Sequence, residues 1–161
     1  MLDYCDRQIW ELMCETGARI SDILALTRHA VRQQPLTLYE QKTRKKRSVR
    51  LSDELHTNLA WWYAPIPGIS NDNGLAFYSP RSMDKPLNRS TYYRRLQKAC
   101  KTAQTRASAH SARKLYARRV YEATGDIRAV QDALQHRYLT TTATYLDIDI
   151  DKLILDTTLQ T

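Results

Sequence analysis

A chain of 161 residues suits one domain with a real core and is too short for two comfortable ones. Its 25 Lys and Arg against 17 Asp and Glu leave a formal charge of +8. That surplus suits a polyanionic partner, because basic side chains near phosphates displace condensed counterions, and it equally serves solubility.

Cys5, Cys14 and Cys100 are odd in number and widely spaced, with no Cys-x-x-Cys pair. This argues against a disulfide framework and a thiolate zinc site and fits a reducing cytosol, with buried free thiols. No charged stretch leads into an apolar run at the N-terminus, and the longest apolar runs fall far short of a membrane span. The expectation is a soluble, cytoplasmic protein.

Ile9, Leu12 and Met13 recur at helical spacing between Asp6 and Glu15, and Gly17 ends that helix. A second short helix runs through Ile20, Ile23, Leu24 and Leu26, with Ser21 and Asp22 near its free amides. Pro35 marks a break. Leu36 to Gln41 alternates and is β-rich, Ser48 to Leu51 reads as its return strand, and Lys42 to Arg47 forms a basic hairpin tip. Ser52 or Asp53 caps a third helix through Leu55, Leu59, Trp61 and Trp62, which Pro65, Pro67 and Gly68 stop.

The polar stretch from Ser70 to Pro86 reads as a loop with an apolar insert, Leu75 to Tyr78. Helices are expected from Ser90 to about Ala103, from His110 to Glu122, and through Ile127, Val130 and Leu134 after the Thr124-Gly125-Asp126 break. A tail helix is expected within 149–161, carried by Leu153, Ile154 and Leu159. The fold class is mainly α with a small antiparallel β-sheet (α+β), in a single domain over 1–161.

Five short features carry chemistry, and each is weak alone. In Thr16-Gly17-Ala18-Arg19-Ile20-Ser21-Asp22 a tight turn throws Arg19 out at a helix start, where an arginine is most often a solvated surface residue. Lys42, at the hairpin tip, is placed to reach a phosphate or leaving-group oxygen, although charged tips also keep a sheet edge soluble. His110 and Arg113, three residues apart, share a helix face and can address one anion. The last two are Leu134-Gln135-His136-Arg137 and the threonine run that ends at Tyr145, one of ten tyrosines.

In order, the set resembles the motifs of the tyrosine recombinase (phage integrase) family. Thr16 to Asp22 is similar to its first-arginine box, usually TGLRISE. Gln41-Lys42-Thr43 before Val49-Arg50-Leu51-Ser52 resembles its lysine hairpin, as in the phage lambda integrase. His110 to Ala117 is similar to HxLRHTFA, and Leu134-Gln135-His136 with Tyr145 nine residues later resembles LGHxxxxTTxxY. The resemblance runs from about Ile9 to Asp147. Three positions depart from it: Gln135 for glycine, Lys114 for histidine, Asp22 for glutamate.

The resemblance implies the fold of a recombinase catalytic domain and a site-specific cleavage and rejoining of DNA without metal, cofactor or ATP. Tyr145 would attack the scissile phosphorus to give a 3′-phosphotyrosine and a free 5′-hydroxyl. Arg19 and Arg113 would take the charge on the non-bridging oxygens, and His136 would donate to one of them. His110 would assist in proton handling, and Lys42 would protonate the departing 5′-oxygen, with Lys45 and Lys46 as neighbouring alternatives. Asp22 would orient Arg19. Arg44, Lys45, Lys46 and Arg47 would contact the DNA.

The implied partner is a double-stranded recombination site, on which the chain acts as a homo-oligomer, a tetramer, with a monomer allowed when free. Only eighteen residues precede Arg19, so the core-binding domain that closes around DNA in such enzymes is expected to be absent. Rival readings are a type IB topoisomerase or telomere resolvase, a catalytically inactive DNA-binding protein of the same fold, and a basic helical module that binds RNA or DNA without cleaving it.

Overall fold

The computed structural model describes residues 2–64 and 73–148. The chain forms two compact units, Met1–Arg113 and Lys114–Thr161, each with its own apolar cluster.

In the first unit, helix α1 spans Tyr4–Thr16. Asp3 caps it, its Oδ1 accepting from the Asp6 amide at 2.8 Å. Ile9, Leu12, Met13 and Thr16 form its buried stripe, the spacing that keeps one helix face in the core. Gly17 ends the helix at φ 62°, ψ 12°, and its amide donates to the Met13 carbonyl at 2.9 Å. A residue with a Cβ is strained in that left-handed conformation, which is why glycine stands there.

The second helix is shorter than expected, and a further one that was not expected follows it. Helix α2 spans Ile20–Leu24 and helix α3 Arg28–Val31. Between them Leu26 and Thr27 pair with the apolar insert: the Ala76 amide donates to the Leu26 carbonyl at 2.8 Å, and Thr27 bridges Leu75. Thr27 then caps α3 through the Ala30 amide at 3.1 Å.

Strands β1 (Leu36–Glu40) and β2 (Lys45–Val49) pair antiparallel, with Leu36 opposite Val49 and Glu40 opposite Lys45. β1 alternates as expected, turning Leu36, Leu38 and Glu40 inward. The turn is shorter than the basic run, covering Gln41 to Arg44 only. Arg44 takes a positive φ of 56° and donates its amide to Glu40 at 2.8 Å. That closes the turn, so Lys45, Lys46 and Arg47 belong to the return strand rather than to the tip.

Helix α4 (Asp53–Trp62) starts on Ser52, whose Oγ accepts from the Leu55 amide at 3.2 Å. The described part of the polar stretch is not simply a loop. It holds a second two-stranded ribbon, β3 (Tyr78–Ser79) and β4 (Ser82–Pro86). Its residues are almost all exposed, so no hydrophobic alternation announced it. Helix α5 (Arg89–Thr102) follows, capped by Asn88. The first core gathers Ile9, Leu12, Ile23, Leu36, Leu59 and Tyr92 among others. A fully buried aliphatic side chain of this kind stabilises by about 1.5–3 kcal/mol.

Helix α6 (Ala109–Thr124) begins in the first unit and continues in the second from Lys114. Two further helices complete the second unit, α7 (Ile127–Leu134) and α8 (Leu139–Leu146). Ala117, Ile127, Val130, Leu134, Ala143 and Leu146 form its core. α8 was not expected, because a threonine-rich segment has weak helix propensity. Burial of Thr142, Ala143 and Leu146 on one face overrides it.

The fold class is therefore mainly α with small antiparallel sheets, two among the described residues instead of one. The expected stops at Pro65, Pro67 and Gly68 and the tail helix within 149–161 lie outside the described residues.

Gly17→Ala should lower the unfolding free energy by roughly 1–2 kcal/mol, the penalty of a Cβ in the left-handed region. Denaturant titration would read this as a lower midpoint at unchanged slope. An unshifted midpoint would mean that the turn tolerates a side chain.

Candidate active site

The turn after α1 collects arginines. Arg19 lies two residues beyond Gly17 and caps α2 without a side-chain bond to its amides. Its Nη1 instead donates to Glu40 Oε2 at 2.9 Å. Arg47 donates through Nε to Glu40 Oε1 at 3.0 Å and through Nη2 to the Thr16 carbonyl at 2.5 Å. Arg113, 4% exposed, donates through Nη1 to the Gly17 carbonyl. The carbonyls of two successive turn residues thus hold two arginines, and the same turn launches a third.

Asp22 was expected to orient Arg19, but the carboxylate bonded to Arg19 is Glu40. Asp22 is buried and its Oδ1 accepts from the Gln41 amide at 3.1 Å. Gln41 also donates its side-chain amide to the Ser21 carbonyl at 3.2 Å. These two bonds tie the start of the β1–β2 turn to α2, and the next residue is Lys42. Lys42 is exposed, as are Arg44, Lys45 and Lys46. Arg47 departs from that group: alternate residues of a strand face opposite sides, and its guanidinium is committed to Glu40 and Thr16. His110 is exposed in the first turn of α6.

The second unit holds the other two expected residues, in contact with each other. The His136 ring lies edge-on to Tyr145, with centroids 5.0 Å apart and planes at 67°. Its Nδ1 is 3.0 Å from Oγ1 of the buried Thr142. Its backbone is fixed on both sides: the amide donates to Gln131 O at 3.0 Å, and Gln131 Nε2 returns a bond to the His136 carbonyl at 3.1 Å. Gln135, where the resemblance leads to glycine, sits at φ 51°, ψ 45°. The left-handed cap that glycine would favour is kept despite the side chain.

Tyr145 is half-buried near the end of α8, and Asp147 follows in a left-handed cap at φ 57°. Asp147 accepts from Arg118 Nη2 at 3.0 Å and lies 3.5 Å from Lys114 Nζ. The Arg118 bond first, then the Lys114 charge, hold its carboxyl below the ordinary 3.8. Lys114, a departure from the family's histidine, thus helps to latch the tyrosine helix onto α6.

Two roles were missed by sequence reasoning. Glu40 carried one signal, a charge at an inward position of an alternating strand. Thr142 carried none, since any of four threonines before Tyr145 serves equally on spacing. Among the described residues no group of three or more His, Cys, Asp or Glu is placed to hold a metal ion, and no helix is long and apolar enough to cross a membrane.

The first unit thus carries an arginine cluster on a helix-launching turn with a lysine-bearing hairpin pinned beside it, and the second carries a His–Tyr pair. The chain belongs to the phage integrase family, whose model matches residues 1–151. It is 32% identical over 148 residues to tyrosine recombinase XerC of Neisseria meningitidis serogroup C, covering 91% of this chain and 48% of that protein. It therefore spans about half the length of that relative. Among solved structures, XerA recombinase shares the fold with a TM-score of 0.72 at 24% identity, over 98% of this chain and 57% of that one. XerH site-specific recombinase, bound to its difH substrate in a pre-cleavage complex, gives 0.67 at 20%, over 96% and 46%.

Asp147→Asn should lower the melting temperature near neutral pH. A depressed carboxyl stabilises the fold only where it is ionised, so the stabilisation is present above the ordinary carboxylate range. It is lost as pH falls through the lowered folded value. Melting curves from about pH 7 to about pH 2 should show the gap between variant and parent closing. A gap that stays constant with pH would assign it to packing instead.

Proposed function

We propose that this chain is the catalytic domain of a site-specific DNA recombinase that cleaves and rejoins strands through Tyr145. The observation that carries this reading is the convergence of Arg19 and Arg113 on the Gly17 turn, where Arg113 is almost wholly buried. Two guanidinium forks fixed by one turn suit the non-bridging oxygens of a phosphodiester, whose transition state gains negative charge.

In the cleavage step the Tyr145 oxygen bonds to phosphorus and the bond from phosphorus to the 5′-oxygen breaks. The product is a 3′-phosphotyrosine, and the 5′-oxygen leaves as a hydroxyl once it takes a proton. Lys42 supplies that proton as general acid, from an exposed ammonium on a turn whose base Asp22 holds. His136 donates to a phosphate oxygen, its ring oriented by Thr142. His110 assists in removing the tyrosine proton. Attack by the 5′-hydroxyl of a partner strand reverses the sequence of bonds. The covalent ester conserves the bond energy, so no nucleotide is consumed.

Arg44, Lys45 and Lys46, exposed along the turn and β2, contact the DNA backbone. Exchange between two duplexes cuts four strands, and one nucleophile per cut calls for a tetramer on DNA. The likeness to XerH site-specific recombinase bound to its difH substrate supports a recombination site as substrate.

On a nicked suicide duplex, where cleavage releases a short fragment and traps the intermediate, the parent should give a covalent protein–DNA band on a denaturing gel. Tyr145→Phe should give none while binding DNA with parental affinity. Arg113→Lys, which keeps the charge but loses the fork, should slow the band by about 10²–10³-fold. A band that survives Tyr145→Phe would overturn the assignment of the nucleophile.

A further inference from the structure

The Glu40 carboxylate is completely buried at the inward end of β1, a strand whose other inward residues are leucines. It meets two guanidiniums, Arg19 on Oε2 and Arg47 on Oε1, at 2.9 and 3.0 Å. Replacing a buried ion pair by apolar residues of similar volume is often neutral or stabilising. Core stability therefore gives no reason for a carboxylate at the end of this leucine strand, and the orientation of its partners does.

Those partners are unequal. Arg47 is braced a second time, on the Thr16 carbonyl, and its side chain is only 15% exposed. Arg19 gives one donor to Glu40 and keeps 27% of its side chain exposed, which leaves most of its five N–H groups for another acceptor. Arg47 thus fixes the carboxylate, the carboxylate holds the Arg19 guanidinium, and part of the Arg19 side chain stays exposed. Two cations around one anion also leave the cluster with one net positive charge, so it still attracts a phosphate.

We propose that Glu40 is a positioning residue for the phosphate site, holding Arg19 in the orientation from which it takes a non-bridging oxygen. This rests on the strand-cleavage reading above. Misplacing a reacting or stabilising group by about 1 Å can cost about 10²-fold in rate, and Glu40 acts on such a group through one bond.

The test is Glu40→Gln on the nicked duplex. Gln keeps the shape but offers one acceptor to two guanidiniums. Covalent adduct at saturating DNA should form about 10–100-fold more slowly, with DNA affinity within about threefold of parent. In an Arg19→Ala background the same change should alter the rate by less than about threefold, because two residues acting through one contact are not additive. A parental or faster rate would overturn the proposal and make Glu40 a brake on the site. An undiminished loss without Arg19 would also overturn it, since the effect would then run through Arg47 or the fold.

Should Glu40→Gln melt below the working temperature, Glu40→Asp carries the test. It keeps the charge and draws the carboxylate back by one methylene, so adduct formation should slow and a parental rate counts against the proposal. A second readout is independent of cleavage. In spectra of ¹⁵N-arginine-labelled protein, rotation of the Arg19 guanidinium should be hindered in the parent and released in the Glu40 variant. A freely rotating Arg19 in the parent would overturn the clamp. A hindered Arg19 in a parent that gives no Tyr145-dependent adduct would support the clamp and overturn the strand-cleavage reading instead.

Discussion

The left-handed turn at Gly17 is the constraint on which the first unit's chemistry depends. Its amide closes helix α1, and its carbonyl, with that of Thr16, points at the guanidiniums of Arg113 and Arg47. Thr16 itself is locked, its hydroxyl donating to Leu12 O at 2.6 Å and accepting from the Ala18 amide at 3.2 Å. A buried carbonyl needs a donor, and a buried guanidinium needs acceptors. The end of a helix supplies surplus carbonyls. Setting arginines there satisfies both demands with the same bonds, so the strongly basic cluster needs only one buried acid, Glu40.

The hairpin extends this logic outward. Its inward residues belong to the core, and Glu40 joins β1 to the arginines. Its turn is pinned through Gln41 to Asp22 and Ser21. One rigid element thus sets the acid beside Arg19, while the next residue, Lys42, projects from a turn with no comparable tie on its side chain among the described contacts. That difference suits the tasks proposed for them. A residue that fixes a charge gains from rigidity, and one that delivers a proton to a leaving group gains from a mobile ammonium.

Much of this was legible in the sequence, for definite reasons. Helical spacing and the Gly17 stop located α1, Ser52 located α4, and the alternation from Leu36 located β1, because each rests on local chemistry of a few residues. The candidate site residues came only from the resemblance, since His110 with Arg113 or a threonine run before Tyr145 says little alone. What escaped was long-range. The acid bonded to Arg19 lies twenty-one residues away, and no spacing rule links them. β3 and β4 are exposed ribbons without alternation, and α8 is a helix by burial against propensity. Charge alone marks Lys45 to Arg47 as a tip, whereas strand pairing sets Arg47 opposite the inward Leu38.

The second unit solves a different problem, that of holding Tyr145 in place on a weak helix. α8 is eight residues long and rich in threonine, so isolated it would not form. Its apolar face is held by Leu134, Val130 and Ile127 of α7, and its last turn by the Asp147 contacts to Lys114 and Arg118. The first of these holds is buried and insensitive to salt. The second is exposed, and surface pairs of this kind are individually weak and screened. Tyr145 sits between these two holds, its ring beside His136.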